Sequence, residues 1–241
     1  MNFNYIKVSD NEFSLVMLIM GDTIKPYKLL STTELQFYNK SCKTNKRKYE
    51  FYWGRIAMKM TLLSEKKRDL FQRLSIKKGI FNQPVVENNN IDFSISHCSN
   101  IVVATCFPKS YLVGIDIEKI KYDNLCYIEN FYPKNKVPYG IKEEIACTIS
   151  WTAAEAISKA LKIGFTANPQ IFCIKNISKK NDIFFIDFVN FPNFKGFSFK
   201  LDEYIFSIIV PKNVYIDICK IRKIINDWWN EYLNGKTNTE S

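Results

Sequence analysis

Two long stretches with helical spacing, each bordered by short apolar runs, constrain the fold of this chain more than any other feature. Residues 46–63 place Phe51, Tyr52, Ile56, Met60 and Leu63 three and four apart, the repeat of a helix with one apolar face. Residues 143–161 read as a second long helix, and its opening pair Glu143-Glu144 suits the positive end of a helix dipole. Between them lie three strand-like runs, 93–98, 101–107 and 112–117, separated by the polar breaks Ser99-Asn100 and Pro108-Lys109-Ser110, which predicts hairpins or a meander. A buried strand is expected at 13–20, and an antiparallel sheet from the runs 171–174, 183–189, 197–201 and 204–210. Residues 216–233 form an amphipathic helix whose stripe of Ile218, Ile221, Ile224, Ile225, Trp228 and Trp229 is assigned to core packing rather than to a partner. Strands and helices come in blocks rather than one by one, so the fold class is α+β. A division near residue 108 gives halves 1–108 and 109–233, each with a small sheet and one long helix. Residues 133–140 and the stretch with Gly79, Pro84, Asn88, Asn89 and Asn90 read as loops, and 234–241 as a polar, disordered tail.

Composition supports a packed protein: 46% of the 241 residues are hydrophobic and 15% aromatic. No segment approaches the roughly 20 apolar residues of a membrane helix. Lys7, Asp10 and Glu12 interrupt the N-terminal stretch, which makes it a poor signal peptide, so a cytoplasmic location and no membrane partner are expected. The seven cysteines are odd in number and lack C-x-x-C spacing, which argues for buried thiols rather than disulfides or a zinc cluster. His97 is the single histidine, which excludes a histidine-rich metal site.

The net charge of +10 is concentrated. Residues 25–78 hold 15 Lys and Arg against four acids, Glu34, Glu50, Glu65 and Asp69, an excess of 11, so the rest of the chain sums to −1. Such a segment attracts polyanions: nucleic acid, an acidic membrane surface, a phosphate-rich cofactor or an acidic protein. Nucleic acid is disfavoured, because the aromatics are not interleaved with Lys and Arg in an RNA-binding signature and the carboxylate patches would be unexplained.

Three patches carry chemical groups. In Val113-Gly114-Ile115-Asp116-Ile117-Glu118 the two acids sit two apart on a strand and so share a face, where they repel unless a cation or proton lies between them. Oxygen ligands of this kind suit magnesium; the bland alternative is a polar strand edge in water. In Trp151-Thr152-Ala153-Ala154-Glu155-Ala156-Ile157-Ser158-Lys159, Glu155 and Lys159 share a helix face, either as a surface ion pair or as a metal ligand beside a phosphate-binding lysine. In Phe93-Ser94-Ile95-Ser96-His97-Cys98 the histidine is either a satisfied structural group or a donor to phosphate.

Taken in order, Ser96-His97, Gly114-Ile115-Asp116-x-Glu118 and Trp151-Thr152-x-x-Glu155-Ala156-x-x-Lys159 resemble the signature of the 4′-phosphopantetheinyl transferase superfamily. Lys46-Arg47 with Glu50-Phe51-x-x-Gly54-Arg55, and Gln83-Pro84-Val85, resemble the longer, Sfp-type members, and the wording around Ser96-His97 and Asp116 is most similar to the branch serving siderophore synthases. The resemblance runs from about Lys46 to Lys159. It implies a monomeric pseudo-dimer of two similar α/β halves, and a reaction in which a serine of an acidic acyl or peptidyl carrier protein attacks the β-phosphate of coenzyme A. It further implies Asp116, Glu118 and Glu155 as Mg²⁺ ligands and Glu155 as the base for the serine proton. Lys159 would stabilise phosphate charge, Ser96 and His97 would hydrogen-bond phosphate oxygens, and Arg47 and Arg55 would grip the 3′-phosphate from a basic coenzyme A-binding helix. Two departures stand out. Ala154 replaces the lysine that usually precedes the helix glutamate, with Lys162 as a possible compensation, and the stretch between Asp116 and Trp151 is short. Ala154 motivates one further reading, a family member that binds coenzyme A without transfer.

Overall fold

The computed structural model describes residues 4–10, 13–22, 24–63, 65–81, 83–87, 90–121 and 140–237. The chain divides into two compact units, Met1–Ser110 and Tyr111–Ser241. Both carry one antiparallel sheet, as the α+β reading expects.

In the first unit, strands β1 (Asn4–Asp10), β2 (Phe13–Ile19), β3 (Lys77–Lys78), β4 (Pro84–Val85), β5 (Ile91–Cys98) and β6 (Ile101–Pro108) order as β1-β2-β6-β5-β4-β3. Helices α1 (Pro26–Leu29), α2 (Thr32–Ser41) and α3 (Asn45–Leu62) follow β2. Ser31 starts α2 through a capping box: its hydroxyl accepts from Glu34 N, and Glu34 Oε2 accepts from Ser31 N at 2.8 Å. Thr44 caps α3 by accepting from Arg47 N at 3.1 Å. Helix α3 lies across β2, β5 and β6, and its residues Tyr52, Trp53, Ile56 and Met60 join Val16, Leu18, Val102 and Ala104 in one core.

That core encloses charges. The Lys59 side chain has no exposed surface, and Nζ donates to Leu29 O at 2.9 Å, Phe71 O at 2.7 Å and Glu34 Oε2 at 2.5 Å. Glu34 Oε1 accepts from Ile76 N at 3.2 Å and faces Arg55 Nε at 3.5 Å. Helices α1, α2 and α3 are thus fastened to the segment that leads into β3.

In the second unit, β7 (Gly114–Lys119), β8 (Ile174–Lys180), β9 (Ile183–Phe188), β10 (Phe194–Leu201) and β11 (Tyr204–Pro211) order as β7-β11-β10-β9-β8. Helix α4 (Glu143–Ala160) packs on β7 and β11, and helix α5 (Ile218–Thr237) ends the described chain. Buried Ala153, Ala154, Ala156 and Ala160 allow α4 to approach closely. At Gly114 the approach is so tight that an added Cβ would run into the carbonyl oxygen of Ala156. A seam of buried hydroxyls crosses the same interface: Thr152 Oγ1 lies 2.6 Å from Ser207 Oγ, which lies 2.6 Å from Ser198 Oγ.

Several expectations are corrected. The run 112–117 does not continue a meander with its two predecessors; as β7 it pairs with β11 in the other sheet, Asp116 opposite Ser207. Residues Pro169–Phe172 are a 3-10 turn, and the strand begins only at Ile174. Helix α5 runs on to Thr237, into the stretch read as a tail. Residues 88, 89, 133–139 and 238–241, read as loop or tail, and Cys126 lie outside the described residues. Strand β1 and helix α2 add to the elements read from the sequence.

Lys59→Met leaves Glu34 buried without its lysine and is expected to cost about 3 kcal/mol in urea unfolding, with the Glu34→Gln/Lys59→Met double variant costing less than the sum of the singles. Gly114→Ala is expected to cost about 3 kcal/mol by overpacking, read as a lowered Tm.

Candidate functional site

Alternation along β7 puts Gly114, Asp116 and Glu118 on one face, and the small residue at 114 lets α4 cross that face closely. This crossing brings Lys159, in the last turn of α4, to Asp116: Nζ donates to Oδ1 at 2.6 Å. Asp116 is buried, its side chain 3% exposed, whereas the Lys159 side chain is 26% exposed. Glu155 lies one helical turn before Lys159 and is half-buried. Burial pushes its carboxyl above the usual carboxylate range; Lys159 pulls it back, and the charges of Asp116 and Glu118 push it further up. Lys159 thus pairs with Asp116, and Glu155 feels the charges of Lys159, Asp116 and Glu118. Lys159 reaches across to the strand, so the i,i+4 spacing to Glu155 is only part of its environment.

The first unit assembles the basic residues. His97 is half-buried at the end of β5, its Nε2 3.9 Å from Glu50 Oε2, and Arg47 lies 3.8 Å from the same carboxylate. Ser96 is buried beside it on β5. Arg47 and His97 therefore share Glu50, while Arg55 sits deeper, against Glu34 and over the Phe51 ring at 4.7 Å. Burial lowers Arg55 to about 10, with Glu34 opposing the shift and Arg47 adding to it. Arg55 lines a pocket of about 210 Å³ together with Phe37, Phe51, Lys77 and Lys78. Lys78 lies 4.5 Å over the Phe37 ring, and burial, then repulsion from Arg47 and Arg55, lowers its pKa. Crowded cations that push one another down form a place where an anion is welcome. Lys77 and Lys78 were not singled out in the sequence; their only signal was their place at the end of the basic segment.

Among the described residues, no three His, Cys, Asp or Glu side chains are grouped as a ready-made metal cage, and no helix is long and apolar enough to cross a membrane. No family model matches the chain. Over 96 residues the chain is 31% identical to the holo-[acyl-carrier-protein] synthase of Mycoplasma mycoides subsp. mycoides SC, an alignment that takes in 38% of this chain and 76% of the mycoplasma protein. The chain belongs to the phosphopantetheinyl transferase superfamily.

Membership gives the oxygen-only donor set a chemical context. Asp116, Glu118 and Glu155 offer oxygen atoms only, the donor type that magnesium takes, but they are not grouped closely enough to hold an ion by themselves. The departure at Ala154 also gains a structural account. The residue is fully buried in the apolar cluster with Ile149, Ile157 and Ile205, so this position packs α4. Lys162 stands just past the helix with a left-handed backbone (φ 60°).

Inorganic pyrophosphate is expected to stabilise the fold through the basic cluster, by about 2.7 kcal/mol at a hundredfold excess over Kd, and so to raise the Tm. The gain should shrink in Arg47→Ala and Lys78→Ala and with added salt, as followed by thermal melting.

Proposed function

We propose that the chain transfers 4′-phosphopantetheine from coenzyme A to a serine of an acidic acyl or peptidyl carrier protein, as a longer, Sfp-type member of its superfamily working as a monomer in the cytoplasm. The observation that carries this is the pairing of Lys159 with Asp116 where β7 meets α4, with Glu155 under the influence of both and of Glu118, in a chain similar to a holo-[acyl-carrier-protein] synthase. The serine oxygen forms a bond to the β-phosphorus, the bond from that phosphorus to the bridging oxygen breaks, and 3′,5′-adenosine bisphosphate leaves. Asp116, Glu118 and Glu155 would hold Mg²⁺, whose charge would neutralise the pyrophosphate. Glu155, directly or through a water, would take the serine proton. Lys159 stabilises charge on the phosphates, and Ser96 and His97 supply hydrogen bonds to them. Arg47, Arg55, Lys77 and Lys78 meet the remaining phosphate, where a guanidinium pairs with oxygens in a fork. The surplus of positive charge on this segment also steers an acidic carrier. The motif wording around Ser96-His97 and Asp116 favours a carrier of the siderophore-synthase type.

Intact mass of an apo carrier protein, incubated with the chain, coenzyme A and Mg²⁺, should rise by one phosphopantetheine and not rise with EDTA. Asp116→Ala, Glu118→Ala and Glu155→Ala should each remove at least about a hundredfold of the rate, and Cys42→Ala should leave it unchanged. Full activity in Asp116→Ala would refute the assignment. Coenzyme A binding without transfer to any carrier type would favour the non-catalytic reading, and salt-dependent binding to random DNA without either would favour nucleic acid.

A further inference from the structure

The hairpin that joins β3 to β4 is built against the usual chemistry of turns. Turn tips favour Gly, Asn, Asp and Ser, yet this one carries Ile80, 93% exposed, and Phe81, 61% exposed. Neither packs into the core of the first unit, so holding both in water costs free energy that the fold does not recover. The tip is also fixed in shape. Gly79 N donates to Gln83 O at 2.7 Å, Phe81 N donates to Gln83 Oε1 at 2.9 Å, and the Gln83 amide lies where a Cβ on Gly79 would fall. Apolar side chains on a turn held in this way lose little further freedom when a partner covers them. Strand β3 is the last of its sheet, so the tip stands at an edge.

Charge selects the occupant. Lys77 and Lys78 immediately precede the tip, at the end of the segment that holds 15 Lys and Arg against four acids. A second copy of this chain would bring the same charge and be repelled, whereas an acidic protein with an apolar pocket would be drawn in and then held. We infer that Ile80 and Phe81 form the apolar contact on which the acidic carrier protein docks. The inference rests on the proposed transfer reaction and adds to it the surface that takes the partner. The basic segment raises the rate of encounter, and the covered tip slows release. Two adjacent side chains suffice for such a contact, because a few residues carry most of an interface's energy and aromatic ones are enriched there.

The test uses the full chain with two fluorescently labelled apo probes, an acyl carrier protein and a peptidyl carrier domain. Binding is read by anisotropy and transfer by intact mass. The double variant Ile80→Ser/Phe81→Ser should weaken carrier binding and raise the KM for carrier at least about tenfold, with kcat, the KM for coenzyme A and the Tm unchanged. Gln83→Ala, which loosens the tip without removing an apolar group, should give a smaller loss in the same direction. Val189→Ser, at an exposed apolar residue of the second unit, should behave as wild type. Added salt should weaken wild-type binding while leaving the loss caused by the tip variant in place. Carrier affinity and KM that are unchanged in the tip variant, with transfer intact, overturn the docking. So does a loss confined to coenzyme A binding, or retention on phosphatidylserine vesicles that the tip variant loses while its carrier affinity is unchanged, which would assign the tip to a membrane surface. Wild type that neither binds nor loads either probe overturns the transfer reading and the docking with it, a result distinct from transfer that survives loss of the tip.

Discussion

A lysine without exposed surface needs an acceptor for each of its three protons, and Lys59 finds them in Leu29 O, Phe71 O and Glu34 Oε2. These acceptors come from the end of α1, from the turn after Glu65–Leu70 and from the first turn of α2. Glu34 in turn holds the Ser31 and Ile76 amides and faces Arg55. Few other contacts in the first unit join so many segments, and none of its members can be removed without stranding another in low dielectric. The placement of Lys77 and Lys78 follows from it, since Ile76 immediately precedes them. A buried charge cluster thus fixes where the surface charges stand.

In the second unit the governing constraint is steric. Gly114 and the small residues of α4 set the helix onto the sheet at backbone distance, and only at that distance does Lys159 meet Asp116. The chemistry of the carboxylates is inherited from packing: Glu155 owes its raised pKa first to burial and only then to its charged neighbours. A bulkier residue at 114 would alter the electrostatics of the site without touching a charged group.

Much of this was legible because periodicity is. The helix at 46–63 and the helix at 143–161 appear within a residue or two of their predicted ends, and the hairpin of β5 and β6 forms across Ser99-Asn100. Non-local pairing was not legible. The run at 112–117 is close in sequence to β6, yet its partner β11 lies some ninety residues on, and nothing in a six-residue strand encodes that choice. Strand β8 escaped because only Ile174 and Ile177 of its seven residues are buried, the pattern of a polar sheet edge. Helix α2 is polar too, but Ser31 and Glu34 spell a capping box that could have announced it. At the site, spacing put Glu155 and Lys159 on one helix face, but it could not show that Lys159 reaches across to Asp116 on the strand. The burial of Arg55 was not, because a count of charges cannot tell a solvated arginine from one enclosed by Glu34 and Phe51.

The hydroxyl seam between α4 and the sheet has a direction. Thr152 gives its proton to the helix carbonyl of Thr148, so Ser207 must donate to Thr152 and Ser198 to Ser207. Such a chain closes only if β10 and β11 are paired in the observed register, since a one-residue slip turns the serines to the opposite face and brings Phe199 and Phe206 round in their place. The two strands are joined by the two-residue turn Asp202-Glu203 and can pair early, before any distant segment arrives. The seat of α4 therefore depends on the register of a hairpin that it does not belong to: a slipped hairpin offers aromatic rings where a hydroxyl is required, under the helix that carries Glu155 and Lys159.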